Sequence, residues 1–340
     1  MFGRSASDHR GGRFEDLGAF LAFLERRGQL VRVHVEVDPV LEVTEIAQRV
    51  VREGGPALLF ERPKGAAFPL VINLFGTAER IRWALGREPA EIGEELLRAL
   101  EHLNPPTFGG LWRSRALFRR ALSMRPRRVR RAPVQEIVEE PDLWKLPILK
   151  CWPEDGGRFI TFGLVLTEHP KTHRRNLGLY RLHVFERDRT GMHWQSLKGG
   201  RAHYEEAERE GRPLLVAVIL GGDPALMLSA ILPLPEDFDE MLFAGFLRRK
   251  PVEMVKCRTI DVEVPAGADI IIEGYVDPEE RRLEGPFGDH TGFYSLADYY
   301  PVFHVTCITH RKDPIYPATI VGKPPMEDGY IGKLTERLFL

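Results

Sequence analysis

The sequence predicts a two-part α/β protein: a small N-terminal α/β unit, then a β-rich unit built as a closed or partly closed barrel. Helix-period and strand-period segments alternate up to about residue 105. From about residue 158 onward, short strand-like runs follow one another with only two helical interruptions. The chain has 340 residues and is 43% hydrophobic, enough for two ordinary cores.

The elements follow in order. Residues 14–28 place Phe14, Leu17, Leu21 and Leu24 on one helical face, residues 30–37 alternate like a strand, and residues 42–53 return to helix period. ALLFE and PLVINLF read as two buried strands and residues 90–102 as a helix. Residues 113–131 hold nine arginines and read as a helix that becomes a linker after Pro126. A solvated basic face between domains accounts for them. The alternative, an anion-binding surface, lacks interleaved aromatic residues and any nucleic-acid fold motif.

FITFGLVLTEH, NLGLYRLHVFE, MHWQS, LLVAVILGG, PVEMVKCRTIDVEV, ADIIIEGYV and PVFHVTCITHR read as strands. HPKTHRRN, DRTG and PAGAD read as hairpin turns, and residues 224–232 and 238–249 as helices.

Composition excludes several classes. The formal net charge of -1 gives no overall attraction to nucleic acid or membrane, and no apolar run reaches the roughly 18 residues of a spanning helix. The first residues lack a signal peptide's apolar stretch. Cys151, Cys257 and Cys307 are odd in number and form no CxxC, which points to reduced thiols in a cytoplasm. No GxGxxG, P-loop or HExxH pattern occurs.

The most informative segment is EGPFGDHTG, residues 284–292, which sets Glu284 and Asp289 five positions apart on a loop stiffened by Pro286. Paired carboxylates suit acid/base work when one is ionised and the other holds a proton; a rigid turn with solvated acids is the plain alternative. In NLGLYRLH, strand alternation puts Arg181 on the face of Leu177 and Leu179. It either snorkels to water or grips a carboxylate. Lys198, Gly199 and Gly200 can present a cation and backbone N–H groups to a phosphate, or simply form a loop. Glu236, Asp237, Asp239 and Glu240 suit a helix N-terminus. The i,i+4 pair His169 and His173 straddles Pro170 in a turn and reads as incidental.

In this order NLGLYR, a W…KGG loop, GGDPA, a PxPE…E helix, VKC…VPA, EGY and EGPFGDHTGFY resemble the UbiD-like decarboxylases (3-octaprenyl-4-hydroxybenzoate carboxy-lyase type), over residues 10–338. The resemblance implies an N-terminal α/β domain (1–112), a basic linker (113–135), a split β-barrel of the flavin-reductase, FMN-binding type (136–322), and the start of a C-terminal region (323–340) whose remainder is missing. It implies prenylated FMN as cofactor, with Mn²⁺ or Mg²⁺ and K⁺, and a carboxy-lyase acting through a covalent flavin adduct. It implies Arg181, Glu284 and Asp289 as the catalytic network; Asn176, Glu240 and His203 as metal ligands; and Leu179, Tyr180, Arg181, His193, Trp194, Gln195, Lys198, Gly199, Ile231 and Leu232 around the flavin. Asp289 is then the proton donor, supported by Glu284. A donor near neutral pH needs a raised pKa, which burial beside another acid supplies.

The substrate stays open among polyprenylated 4-hydroxybenzoate of quinone biosynthesis, phenolic acids, other aromatic acids and acrylic acids, as does the reaction's direction. Expected partners are that acid, a flavin prenyltransferase, further copies of the chain and peripheral contact with a membrane, with no nucleic acid. A split or silent subunit acting as a binding partner, and an ordinary FMN-binding redox barrel, are the competing readings.

Overall fold

The computed structural model describes residues 14–101, 124–195, 199–232, 234 and 238–339. Residues 113–123 of the arginine-rich segment, Lys198, Glu236 and Asp237 lie outside the described residues.

The first unit runs α1 (Leu17–Arg26), β1 (Leu30–Val37), α2 (Glu42–Arg52), β2 (Ala57–Pro63), β3 (Leu70–Ile72), α3 (Ala78–Leu85) and α4 (Pro89–Glu101). Asp16 caps α1 by accepting the Ala19 N–H at 2.8 Å. The helix buries Leu17, Phe20, Leu21, Phe23 and Leu24. Phe20 is wholly buried and packs near Phe75, so truncating it to alanine costs about 3–5 kcal/mol.

Next come β4 (Arg127–Arg128), β5 (Ile137–Glu139), β6 (Phe159–Glu168), β7 (Arg175–Glu186), β8 (Arg189–Gly191), α5 (Gly199–Arg209), β9 (Leu214–Leu220), α6 (Pro224–Ser229) and α7 (Glu240–Arg248). The chain closes with β10 (Glu253–Lys256), β11 (Glu263–Pro265), β12 (Ile270–Glu284), β13 (Asp298–His310), β14 (Tyr316–Pro317) and α8 (Glu327–Phe339).

β1-β2-β3-β14 form the first sheet, and β12-β9-β6-β7-β8-β13 follow one another in the second. Because β12 also pairs with β13, these six strands close into a barrel, with β5 added beside β13. Closure leaves the six without a free edge. β6 is buried over nearly its whole length. Phe162, Leu164 and Leu166 join the core that includes α1, whereas Ile160 and Val165 join the core that includes the buried face of α2. From Phe162 on, the period of two divides the strand between two cores, and a register shift between Ile160 and Gly163 puts Ile160 in the core of Val165. Gly274 sits at a register shift between β12 and β13, where a Cβ would collide with the His304 carbonyl.

β14 returns to the first sheet, and α8 packs on α3 and α4. The Glu327 carboxyl is buried there, accepting N–H bonds from Asn73 at 3.1 Å and Phe75 at 2.8 Å and the Thr319 hydroxyl at 2.9 Å.

Several local expectations change. MHWQS is not a strand: residues 192–195 form an irregular crossing after β8. PVEMVKCRTIDVEV splits into β10 and β11, and PAGAD is not a hairpin, because β11 pairs with β10 while β12 pairs with β9 and β13. Helices α3 and α5 were not anticipated. Buried Arg80 bonds the Leu74 and Gly55 carbonyls and so obscures the apolar pattern of α3. The hydrophilic α5 buries His203, Tyr204, Glu206 and Ala207. At the described end of the basic segment, Arg127 and Arg128 pair with Glu253 and Glu263. Among the described residues no helix is long and apolar enough to cross a membrane.

Candidate active site

The middle of β7 and the end of β12 build the centre of the site. β7 carries Arg181, and Glu284 is the last residue of β12, opposite Asp298 on β13. Arg181 Nε donates to Glu284 Oε1 at 3.0 Å, and Nη2 lies 3.0 Å from the same oxygen. The two side chains are 14% and 0% exposed, so water screens the pair little. The guanidinium lies 4.6 Å from the centre of the Phe287 ring, and Nη2 also donates to Ser295 Oγ at 3.3 Å. Arg181 is therefore not a snorkelling arginine.

His193 Nδ1 also lies 3.0 Å from Glu284 Oε1. The second carboxyl oxygen, Oε2, is buried with no hydrogen-bond partner among the described residues. The Tyr300 ring lies 4.3 Å from that of His193; burial and the neighbouring Glu284 carboxylate raise the Tyr300 pKa.

The loop between β12 and β13 is tied at both ends. The Gly288 N–H donates to Asp155 at 2.8 Å, and the Ser295 N–H to the Phe287 carbonyl at 2.8 Å. Gly288 lies against the Trp152 ring, where a Cβ would collide with it. Asp289 accepts the His290 backbone N–H at 2.7 Å and meets the His290 ring nitrogen at 2.6 Å.

Here the expected electrostatics is reversed. Burial pushes the Asp289 pKa up, but both His290 contacts and the charges of His290 and Arg181 outweigh it, and the net shift is downward. No described hydrogen bond joins Asp289 to Arg181 or Glu284. The role the resemblance implies for Asp289 called for burial beside another acid; the loop supplies a histidine instead.

A second corner forms where β7 begins. Partly buried Glu240, in the first turn of α7, accepts the Leu177 N–H at 3.1 Å, and desolvation lifts its carboxyl to about 7. Asp239 caps this helix through the Met241 N–H and pairs with Arg175. Asn176 Nδ2 is buried, with no hydrogen-bond partner among the described residues. Gly199 lies so close to Asn176, and Gly200 to Tyr180 and Trp194, that a Cβ at either would collide. The Gly200 N–H donates to the Tyr180 hydroxyl at 3.2 Å.

His203 pairs through Nδ1 with Thr167 Oγ1 at 2.8 Å, and Thr167 is the cross-strand neighbour of Asn176. Burial, then the charge of His169, lower its pKa to about 4. No described hydrogen bond links His203 to Asn176 or Glu240. Among the described residues no three His, Cys, Asp or Glu side chains gather as a metal cluster.

Tyr180 and Trp194 are buried with ring centres 5.3 Å apart. The Leu179 N–H donates to the Ala230 carbonyl at 3.2 Å, which brings β7 to the end of α6 just before Ile231 and buried Leu232. Gln195 is exposed. Phe287, Ser295 and Tyr300 were not singled out from the sequence; Phe287 lies within the prominent loop and Ser295 just after it, the signal that could have flagged them.

Comparison with known proteins now decides the family. Residues 127–324 match the 3-octaprenyl-4-hydroxybenzoate carboxy-lyase Rift-related domain, and residues 21–100 the N-terminal domain of the same enzyme family. The chain belongs to the UbiD family. It is 51% identical over 329 residues to an uncharacterized protein of Archaeoglobus fulgidus, covering 96% of this chain and 68% of that one. An uncharacterized protein of Aquifex aeolicus is 50% identical over 336 residues, covering 97% and 69%. Among solved structures, an evolved dimeric form of the UbiD-class enzyme HmfF from Pelotomaculum thermopropionicum, in complex with prFMN, superposes with a TM-score of 0.83 at 34% identity, covering 96% of this chain and 71% of that one. The closed form of vanillic acid decarboxylase from Sedimentibacter hydroxybenzoicus gives 0.81 at 30% identity, covering 94% and 66%.

Proposed function

We propose that the chain is a prenylated-FMN-dependent, non-oxidative decarboxylase of aromatic or α,β-unsaturated carboxylic acids, running in reverse when CO₂ is abundant. The observation that carries this reading is the convergence of Arg181, His193 and Glu284 where the middle of β7 meets the end of β12. The cofactor's phosphate would lie against the start of α5, whose first N–H groups favour an anion. The Asn176 Nδ2, without a partner among the described residues, and the close approach of Gly199 and Gly200 fit a group seated there.

Asn176 and Glu240 would hold Mn²⁺ or Mg²⁺ through oxygen, leaving positions for phosphate oxygens. A cation also fits the partly buried Glu240 carboxyl, whose surroundings leave its charge poorly compensated. His203 is a weaker ligand in this reading, since one ring nitrogen is taken by Thr167.

When bound, prenylated FMN supplies the electron sink for the pair left as CO₂ departs. Arg181 commits Nε and Nη2 to Glu284 and Ser295, and its planar fork offers Nη1 to the substrate carboxylate. Asp289 returns a proton to the carbon that lost CO₂ and is recharged from water. In the free protein it is held ionised by His290 and Arg181; leaving His290 and meeting a negatively charged substrate raises its proton affinity. Glu284 holds Arg181 in place and shares the proton traffic. Phenolic, polyprenylated hydroxybenzoic and acrylic acids are the substrate classes to test.

A second reading, a subunit completed by another polypeptide or another copy, is favoured by Leu283, Phe293, Leu296 and Tyr299. These lie exposed around the tip of the β12–β13 hairpin. Light scattering of the purified chain, alone and with co-purified material, addresses it.

The test of the main reading is co-production with a flavin prenyltransferase. Mass analysis of the released cofactor and CO₂ release from the three acid classes are then measured. Prenylated FMN with CO₂ from at least one class supports the proposal. Unmodified FMN alone with no CO₂ from any class overturns it.

A further inference from the structure

The crossing after β8 is pinned to β13 by the Met192 N–H, which donates to the Pro301 carbonyl at 2.9 Å. This places the His193 ring between Tyr300 and Glu284. Glu284 Oε1 then receives Arg181 and His193, while Oε2 receives neither. An arginine facing a carboxylate commonly spans both oxygens with its fork. Here the histidine and arginine crowd one oxygen and leave the other bare in a side chain that is 0% exposed. A buried, unsatisfied carboxyl oxygen is unfavourable on its own, so the arrangement calls for a partner that arrives with substrate.

We propose that His193 is a positioning residue: with Arg181 it anchors Oε1 of Glu284, so that Oε2 is the oxygen that exchanges a hydrogen bond or proton during turnover. This rests on the decarboxylase reading above. An ionised carboxylate only accepts, so the contact requires a proton on Nδ1 of His193. Tyr300 holds the ring against tilting.

Two readouts test the assignment. In the ¹⁵N-labelled full chain, the side-chain NMR spectrum should show His193 protonated on Nδ1, and Glu284→Gln should shift that signal. In the flavin-loaded protein, with rates normalised to bound flavin, His193→Ala and His193→Gln should lower kcat by about 10²-fold with KM little changed. His193→Asn, whose amide nitrogen can take the place of Nδ1, should restore most of the rate. Equal rates for the Asn and Gln variants, an undiminished Ala variant, or an Nδ1 signal indifferent to Glu284→Gln would each overturn the proposal. If the wild-type chain releases no CO₂, the decarboxylase reading has failed, and the NMR experiment still reports on the His193–Glu284 contact.

Discussion

Arg181 and Glu284, 103 positions apart in the chain, meet with a nitrogen–oxygen separation of 3.0 Å. The ladder between β12 and β13 extends to Glu284, and the hydrogen bonds of β7 with β6 and β8 place Arg181 beside it. Removing the arginine leaves a buried carboxylate without its main counter-charge. Arg181→Ala should destabilise the fold by about 3–5 kcal/mol and abolish decarboxylation. Arg181→Lys should recover more stability than activity, because a point charge replaces a planar fork. Urea unfolding and turnover on the same preparations check both statements.

The Asp289–His290 contact predicts a pH effect of definite sign. The folded pKa of Asp289 lies below its unfolded value. Its contribution to stability is therefore present above the unfolded pKa and lost as pH falls through the folded one. His290→Ala should raise the Asp289 midpoint in a carboxyl NMR titration. A midpoint that stays put or falls would remove His290 from the account. Asp289→Asn should retain flavin and lose turnover.

The Asn176–Glu240 corner predicts linked loss of metal and flavin. Asn176→Ala and Glu240→Ala should each weaken Mn²⁺ binding in the presence of FMN by about tenfold or more. Calorimetry with Mn²⁺ and FMN, together and singly, measures the linkage.

Glu327 fastens α8 to the first sheet from full burial, which pushes its carboxyl up to about 7. Between its ordinary value and that one, the folded state keeps a proton that the unfolded state releases. Its contribution is thus greatest at acid pH and declines as pH rises toward neutral, by about 3 kcal/mol at most. The difference in unfolding free energy between wild type and Glu327→Gln should slope with pH in that sense. Parallel profiles would contradict it.

Much of this was legible in the chain. The alternation of Leu177, Leu179 and Arg181 put the arginine on an apolar face, and Glu284 and Asp289 stood out within one glycine-rich loop. The helix at residues 42–53 follows its period, and the strand at 30–37 lies where it was read, although Val31 and Val35 are exposed and only Leu30 and Val37 are buried in it. What stayed hidden depends on through-space partners. Nothing near His193 in the chain points to Glu284, and nothing around Asp289 revealed that its neighbour His290 would outweigh burial. Arg80 hid α3 because a buried arginine reads as a surface residue until the carbonyls of Leu74 and Gly55 are seen around it.

The most direct measurement is a crystal structure of the chain reconstituted with prenylated FMN. The account predicts the flavin ring system within about 4 Å of the Arg181 side chain, Glu284 Oε2 facing the substrate space beside it, and the phosphate at Asn176 and the start of α5. A flavin bound elsewhere, or seated there with Arg181 and Glu284 drawn apart, would contradict it.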